Sequence, residues 1–501
     1  MAGGRRYTYH KGFLADNALD FSKRSSFIKE ILLERVNPSK IILPCKQHYG
    51  VSAIPVVNVG DEVKVGQCVA VPPKGKFSLA VHSGISGRVA SISDISMPNG
   101  IKCPAITIIN DMKMQRVNSM RHRESMNLDS KDVMGIISNA GICGLGGEGI
   151  PTAAKIDRAR RHAVNELLVN GLQSEPFATS DLMVMSEYPG HVVMGAGACA
   201  RACGASKVVI LLSERRKMII DVISNAIENA KNDFDDLTFE IRLFRERFPQ
   251  GYYRLVAKAL YDVTLAPDET LEQRCGAVLF NCSTMCACWE ALSENIPLMS
   301  RVVSVTGDMS NGHNIIVPIG TPVSEVLADG GRAGDTAGPL VWGNSLTGIT
   351  ITDPENTPII KLTNAITVIR KQETPRTPCI HCGLCAQNCP MGLSPHIIYE
   401  MLKQGMPKKA EEEGARTCIS CGICSYICPA GIRLTQRIAK FAAEGRIIGE
   451  NSLLHNTRFK YGIEEIGDLS LLEDYVSDIP DDPSVDDPDA IVLPFDGGKT
   501  V

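Results

Sequence analysis

Cys379-Ile380-His381-Cys382-Gly383-Leu384-Cys385-Ala386-Gln387-Asn388-Cys389-Pro390 is answered further on by Cys418-Ile419-Ser420-Cys421-Gly422-Ile423-Cys424-Ser425-Tyr426-Ile427-Cys428-Pro429. Each stretch reads C-x2-C-x2-C-x3-C-P. A cubane iron–sulfur cluster needs a thiolate at every corner, and this spacing aims successive thiolates and backbone N–H groups of one tight loop at a common point. Gly383 and Gly422 let the backbone turn close to the sulfurs, and Pro390 and Pro429 end the loops. Zinc sites typically use pairs of C-x2-4-C or mixed Cys/His sets, not two copies of this run. The pattern predicts two [4Fe–4S] clusters and hence an electron carrier, with no general acid, base or nucleophile.

The runs resemble those of two-cluster bacterial ferredoxins, where the last cysteine of each run serves the other cluster. That resemblance implies one cluster on Cys379, Cys382, Cys385 and Cys428, and the other on Cys389, Cys418, Cys421 and Cys424. His381 is read as tuning the potential through hydrogen bonding or as exposed, not as an iron ligand.

The chain has 501 residues, 44% of them apolar, and a net charge of -4. Several domains with their own cores are expected, and the charge gives no reason to expect a nucleic-acid partner. The opening MAGGRRYTYH lacks the apolar run of a signal peptide. No uninterrupted apolar stretch reaches the ~18–20 residues that span a bilayer; Val192 to Leu212 is broken by Arg201, Ser206 and Lys207. The expectation is a soluble chain with only peripheral membrane contact. Its 18 cysteines, without a secretion signal, point to a reducing cytosol. Cys143, Cys199, Cys203, Cys275, Cys282, Cys286 and Cys288 are read as small core hydrophobes rather than a further metal site.

The expected organisation is multidomain, α/β and α+β. Residues 1–37 form a polar N-terminal extension. Residues 38–111 alternate short apolar strands with glycine turns, in two matching hairpin halves that resemble a lipoyl-like barrel-sandwich hybrid. No lysine stands at a hairpin tip as a lipoyl carrier requires, so the module and its His82 are read as structural. Residues 112–130 read as a charged linker whose basic cluster Arg121, His122 and Arg123 is a solvated face. Residues 128–270 alternate helix and strand in an α/β pattern. Residues 271–365 resemble a β-grasp, residues 366–445 hold the cysteine runs between helices, and residues 446–501 are an acidic tail whose apolar AIVLPF is a candidate docking patch.

Within the α/β segment, Gly144-Leu145-Gly146-Gly147-Glu148-Gly149-Ile150-Pro151-Thr152 exposes backbone N–H groups that can cradle a phosphate at a helix start. Thr152 is expected to cap that helix and Lys155 to pair with the anion. The loop fits neither a Rossmann fingerprint nor a P-loop. It is similar to the G-x-G-G-A-G-F-P-T flavin-phosphate loop of the complex I NADH-dehydrogenase flavoprotein subunit and of the RnfC family, which belongs to Rnf-type ion-translocating electron transport complexes. The whole order, barrel sandwich, glycine loop, SLBB-type β-grasp and two cubane runs, resembles RnfC from about Ile41 to Phe441. The resemblance implies FMN on Gly144, Gly146, Gly147, Gly149, Thr152, Lys155, Asn170, Glu175, Asn281 and Thr284. It further implies a protein at the cytoplasmic face of the cell membrane, held by Rnf-type membrane and iron–sulfur partners and exchanging electrons with ferredoxin.

The chain departs from the family at the nucleotide site. N-x-A-E-C-E-P becomes Asn170-Gly171-Leu172-Gln173-Ser174-Glu175-Pro176, and Y-P-Q-G-G-E-K becomes Phe248-Pro249-Gln250-Gly251-Tyr252-Tyr253-Arg254. T-G-R-E-V-P has no counterpart, and G-G-P-M-M-G is replaced by Trp342-Gly343-Asn344-Ser345-Leu346-Thr347-Gly348. Two rings in place of a glycine and a carboxylate speak against NAD(H). Glu148 would repel a phosphate if it pointed inward, so FMN stays open. The reading is a relay to a membrane carrier or cytochrome. The alternative is a competent NADH/FMN dehydrogenase subunit, and a soluble cobalamin-reductase-like role is disfavoured by the barrel-sandwich module.

Overall fold

The computed structural model describes residues 7–8, 13–14, 34–123, 128–172, 175–267, 269–309, 312–328, 337–370 and 377–444. The acidic tail and its AIVLPF patch, Gln173 and Ser174 lie outside them. The fold is the expected mixture of α/β and α+β units.

Lys40–Pro44, Lys102–Asn110, Gly87–Ser96 and Glu62–Val63 make one antiparallel sheet, and Ile54–Pro55, Cys68–Val71 and Val81–His82 a second. Their inner faces, including Ile41, Leu43, Val69 and Ile106, merge with the core of the α/β unit. His82 is buried there.

The α/β unit is a parallel sheet ordered Thr238–Phe244, Lys207–Ser213, Glu166–Asn170, Ala277–Asn281. Lys207–Ser213 is buried along almost its whole length, as a parallel strand covered on both faces must be. Ala277–Asn281 lies beyond the expected boundary at 270, yet it pairs with Glu166–Asn170 along its full length. The following helix Cys282–Glu294 packs on Pro189–Cys203, and Cys199, Cys203, Cys282, Cys286 and Cys288 fill that interface as buried hydrophobes.

The β-grasp region is a mixed sheet running Ile349–Ile351, Ala337–Trp342, Ala365–Arg370, Ser300–Gly307, His313–Pro318, Glu34–Arg35. The supposed N-terminal extension thus supplies an edge strand, and Phe13–Leu14 pairs with Arg247–Phe248. Pieces only two residues long carry no period, so these pairings leave no mark in the pattern of residues. The expected solvated linker is also only partly so. Arg121 and His122 are exposed, but Arg123 donates from its backbone to Ser293 and from Nε to Leu292 O (2.9 Å), closing the end of helix Cys282–Glu294.

The C-terminal unit is helical. Pro395–Lys403, Pro407–Glu412 and Leu434–Glu444 surround a small core of Ile398, Ala410, Ala415 and Ile438, with one-turn helices following Gly383 and Gly422. Proline in the first turn of two of these helices removes an N–H that would lack a partner anyway.

One buried ion pair ties the helix after the glycine loop to the segment before Ala277: Arg158 Nη2 lies 2.7 Å from Glu272 Oε1, both side chains almost inaccessible. Burial pushes Glu272 up, but the charges of Arg158 and Lys155 outweigh it and hold the carboxyl below its usual range. The pair therefore stabilises the fold at neutral pH, and that contribution is lost as pH falls through the carboxylate range. Arg158→Ala strands a buried carboxylate and is expected to cost about 3–5 kcal/mol in denaturant unfolding at pH 7. The deficit should shrink when unfolding is repeated in acid.

Candidate functional site

The two cysteine runs fold alike. His381 (φ 53°) and Ser420 (φ 55°) occupy the same left-handed position, as do Gly383 (φ 74°) and Gly422 (φ 84°). Cys379, Cys382, Cys385 and Cys428 line one cavity with His396. Cys389, the last cysteine of the first run, adds to the charge repulsion felt by Cys421 and Cys424 of the second, and Cys385 adds to that felt by Cys424. Cys428 thus shares a cavity with three cysteines of the first run, and Cys389 acts on two cysteines of the second.

Burial, and then the neighbouring thiolates, push Cys424 up to about 12 and Cys421 well above the ordinary thiol range, against a hydrogen bond from Thr435 to Cys424. Four thiols in one buried place are unfavourable as thiolates without a cation, and a bound metal cluster supplies that charge. The donor sets fit the group. Each run also has a hydrogen-bonding partner eleven residues beyond its third cysteine. His396 Nδ1 stands 3.6 Å from Cys385 Sγ, and Thr435 Oγ1 stands 3.2 Å from Cys424 Sγ. Both were missed in the sequence, although the equal offset was visible once the runs were aligned. His381 is exposed and lies edge-on to His396.

The second candidate site opens at the carboxyl ends of Glu166–Asn170 and Ala277–Asn281, where ligands of parallel sheets bind. Gly144, Gly146, Lys155, Asn170, Glu175, Asn281 and Thr284 all line this cleft, together with Glu148, Asp181, Gly251, Tyr252 and Tyr253. Gly147, Gly149 and Thr152 do not. Gly147 (φ 100°) and Gly149 (φ 68°) instead give the loop its left-handed turns. Thr152 does not cap the helix Thr152–Arg161. Pro151 holds the N-cap position without a side-chain bond, and the Thr152 hydroxyl is buried without a hydrogen-bond partner.

The cleft is polar, but its polar groups face one another. Lys155 Nζ donates to Glu148 Oε2 at 2.7 Å. Asn170 donates to Gly251 O at 3.0 Å, Asn281 to Asp181 at 2.7 Å and Asn364 to Glu175 at 3.1 Å, while Thr284 Oγ1 accepts from Leu145 N at 2.9 Å. Asp181 also takes the Ser283 hydroxyl at 2.6 Å. Glu148 points inward and supplies the anion that Lys155 would otherwise find in a phosphate. As they stand, these residues do not fit the phosphate end of FMN.

Tyr252 and Tyr253 are both largely buried. Tyr252 packs with Phe248, Leu255, Ile419, Cys421 and Ile423, with Leu346 against the same cluster. Gly422 is so close to Leu346 O that an added Cβ would sit 2.5 Å away. The replaced stretches around Tyr252 and Leu346 thus form the seat of the second cysteine run. Cys286 brings its sulfur within 4.8 Å of donor atoms of His191 and Glu290, but Arg35 already sets a positive charge beside Glu290.

Two C-x2-C-x2-C-x3-C-P runs folded alike beside a phosphate-loop cleft define an iron–sulfur electron-transfer protein on a flavoprotein frame. Residues 137–290 match the Nuo51 FMN-binding domain, residues 8–113 the RnfC barrel sandwich hybrid domain, and residues 371–429 the 4Fe-4S dicluster domain. The RnfC-type component of the ion-translocating oxidoreductase complex of Rhodobacter capsulatus is 31% identical over 75% of this chain and 72% of its own length. Its counterpart in the proton-translocating ferredoxin:NAD(+) oxidoreductase of Clostridium ljungdahlii is 30% identical (79% and 85%), and that in the Na(+)-translocating ferredoxin:NAD(+) oxidoreductase of Acetobacterium woodii 30% (82% and 89%). The chain belongs to the RnfC family. It is an iron–sulfur electron-transfer protein with two [4Fe–4S] clusters, one component of a multisubunit ion-translocating oxidoreductase complex. No described helix is long and apolar enough to cross a membrane.

Proposed function

We propose that this subunit relays electrons without using NAD(H). It would sit peripherally at the cytoplasmic face of the membrane, held by the other subunits of its complex, and pass electrons from ferredoxin toward a membrane carrier or cytochrome. Cys379, Cys382, Cys385 and Cys428 would hold one cluster, and Cys389, Cys418, Cys421 and Cys424 the other. Bound there, the clusters supply one-electron carriers. The protein's own part is to exclude water around Cys421 through Phe248, Tyr252 and Leu346, and to hydrogen-bond Cys385 and Cys424 through His396 and Thr435. Such burial and hydrogen bonding set cluster potentials.

The observation that carries this reading is the cleft. Its lysine is neutralised by Glu148, and two tyrosines stand where the family has a glycine and a carboxylate. A second reading, an NADH/FMN dehydrogenase subunit, is favoured by the match of residues 137–290 to an FMN-binding domain and by the names of the clostridial and acetogen relatives. Anaerobic visible spectroscopy of the purified holo-chain separates them. Reduced ferredoxin is expected to bleach the clusters and NADH to leave them oxidised. Bleaching by NADH at a comparable rate would favour the second reading.

A further inference from the structure

Helices Pro189–Cys203 and Cys282–Glu294 pack so closely that a Cβ on Gly195 would stand 2.0 Å from Met285 O. Most of their shared face is apolar, but one edge is not. Cys286, Glu290 and Glu294 follow one another at four-residue steps along one side of Cys282–Glu294. His191, in the first turn of Pro189–Cys203, stands opposite them. One donor atom each from His191, Cys286 and Glu290 lies within 4.8 Å of the other two. A tetrahedral zinc ion, with bonds of about 2.0–2.3 Å, sets such pairs about 3.3–3.6 Å apart, so closing on an ion takes side-chain movements of about an ångström.

The state of the donors points the same way. His191 Nδ1 is buried without a hydrogen-bond partner, and its 3.9 Å from Glu290 Oε1 is too long for a hydrogen bond. The His191 and Glu290 side chains are 35% and 30% exposed, which gives an ion a way in, while Cys286 is 6% exposed and forms the floor. Burial and then the charge of Glu294 push the Glu290 carboxyl up to about 7, and burial with Glu290 pushes the Cys286 thiol well above its ordinary range. Arg35, on the edge strand Glu34–Arg35, acts on Glu290 in the opposite sense but less than Glu294 does. Its own charge is disfavoured by burial and by Arg116. One guanidinium beside two carboxylates and a thiol leaves this edge short of positive charge. Thiolate, imidazole and carboxylate together form a borderline-soft donor set that suits zinc better than magnesium or calcium.

We propose that His191, Cys286 and Glu290 form a zinc site at the edge of the α/β unit, with three protein ligands and a fourth position open to water. On binding, the Cys286 thiol gives its proton to solvent and its sulfur bonds the metal, with no change of oxidation state. Cys286 is then a ligand, whereas Cys199, Cys203, Cys282 and Cys288 remain packing residues of the same interface. The site shares no residue with the cysteine runs and stands whether or not the relay reading does.

Calorimetric titration of the anaerobic, chelator-washed holo-chain with zinc chloride, followed by zinc K-edge X-ray absorption, tests it. About one zinc per chain is expected beside the full iron complement, with one sulfur at about 2.3 Å and nitrogen or oxygen at about 2.0–2.2 Å. Cys286→Ala and His191→Ala are each expected to weaken binding by roughly a hundredfold or more, beyond the roughly 10–100-fold that loss of an outer partner costs. His191 is partly exposed, so its replacement removes a ligand without opening the core. Arg35→Gln, which removes the competing charge, is expected to tighten binding, and Cys199→Ala, a core thiol of the same interface, to leave it unchanged. The site is overturned if the wild-type chain takes up no zinc, if the zinc is bound by sulfur alone, as in the cysteine runs, or if Cys286→Ala and His191→Ala bind zinc as wild type does.

Discussion

Glu148→Ala is expected to turn a cleft that takes up little flavin into one that binds FMN at least roughly a hundredfold more tightly. The reason is charge. Glu148 and Lys155 neutralise each other at 2.7 Å within a largely buried pocket. A phosphate placed at this loop would meet a carboxylate, and like charges about 4 Å apart repel by roughly 4 kcal/mol at an effective dielectric of about 20. Removing the carboxylate takes away the 2.7 Å ion pair of Lys155 with Glu148 and the like charge that an incoming phosphate would meet. Flavin fluorescence quenching during titration of the holo-chain reads the result directly. Glu148→Gln, which keeps the volume and drops the charge, should recover most of the gain. Stoichiometric FMN in the wild-type chain would show that the carboxylate swings aside, and equal affinity in wild type and both variants would show that Glu148 is irrelevant.

Crossed ligation makes an equally large prediction. If Cys389 serves the second run and Cys428 the first, Cys379→Ala with Cys428→Ala damages one cluster and leaves about four irons per chain. Cys379→Ala with Cys389→Ala damages both. Ligation confined to each run would invert these outcomes, because Cys379 and Cys389 would then share a cluster. Iron analysis and low-temperature EPR of the two double variants distinguish the schemes.

Sequence was most informative where chemistry fixes spacing. The cysteine runs and most of the residues that line the cleft could be read from it, because a cubane and a phosphate loop tolerate few arrangements. Side-chain direction could not. Whether Glu148 faces in or out depends on the turns at Gly147 and Gly149, which the residue types permit but do not dictate. The strand Ala277–Asn281 has no local mark tying it to Glu166–Asn170, and parallel pairing across so long a separation is set by tertiary packing. Thr152 looked like a cap by type, yet the chain enters the helix through Pro151. The tyrosines could be read as filling the cleft, but their second role, with Tyr252 and Leu346 seating Ile419 and Cys421, emerges only when distant segments are assembled.

Eight thiolates in two crossed sets are expected to hold a pair of iron–sulfur cubes. The most direct test is iron and acid-labile sulfide analysis of the anaerobically isolated full-length chain, with EPR before and after dithionite. The expected result is about eight irons and eight sulfides per chain, with reduced-state signals integrating to two clusters. Zinc in their place, or iron for only one cluster, would contradict it.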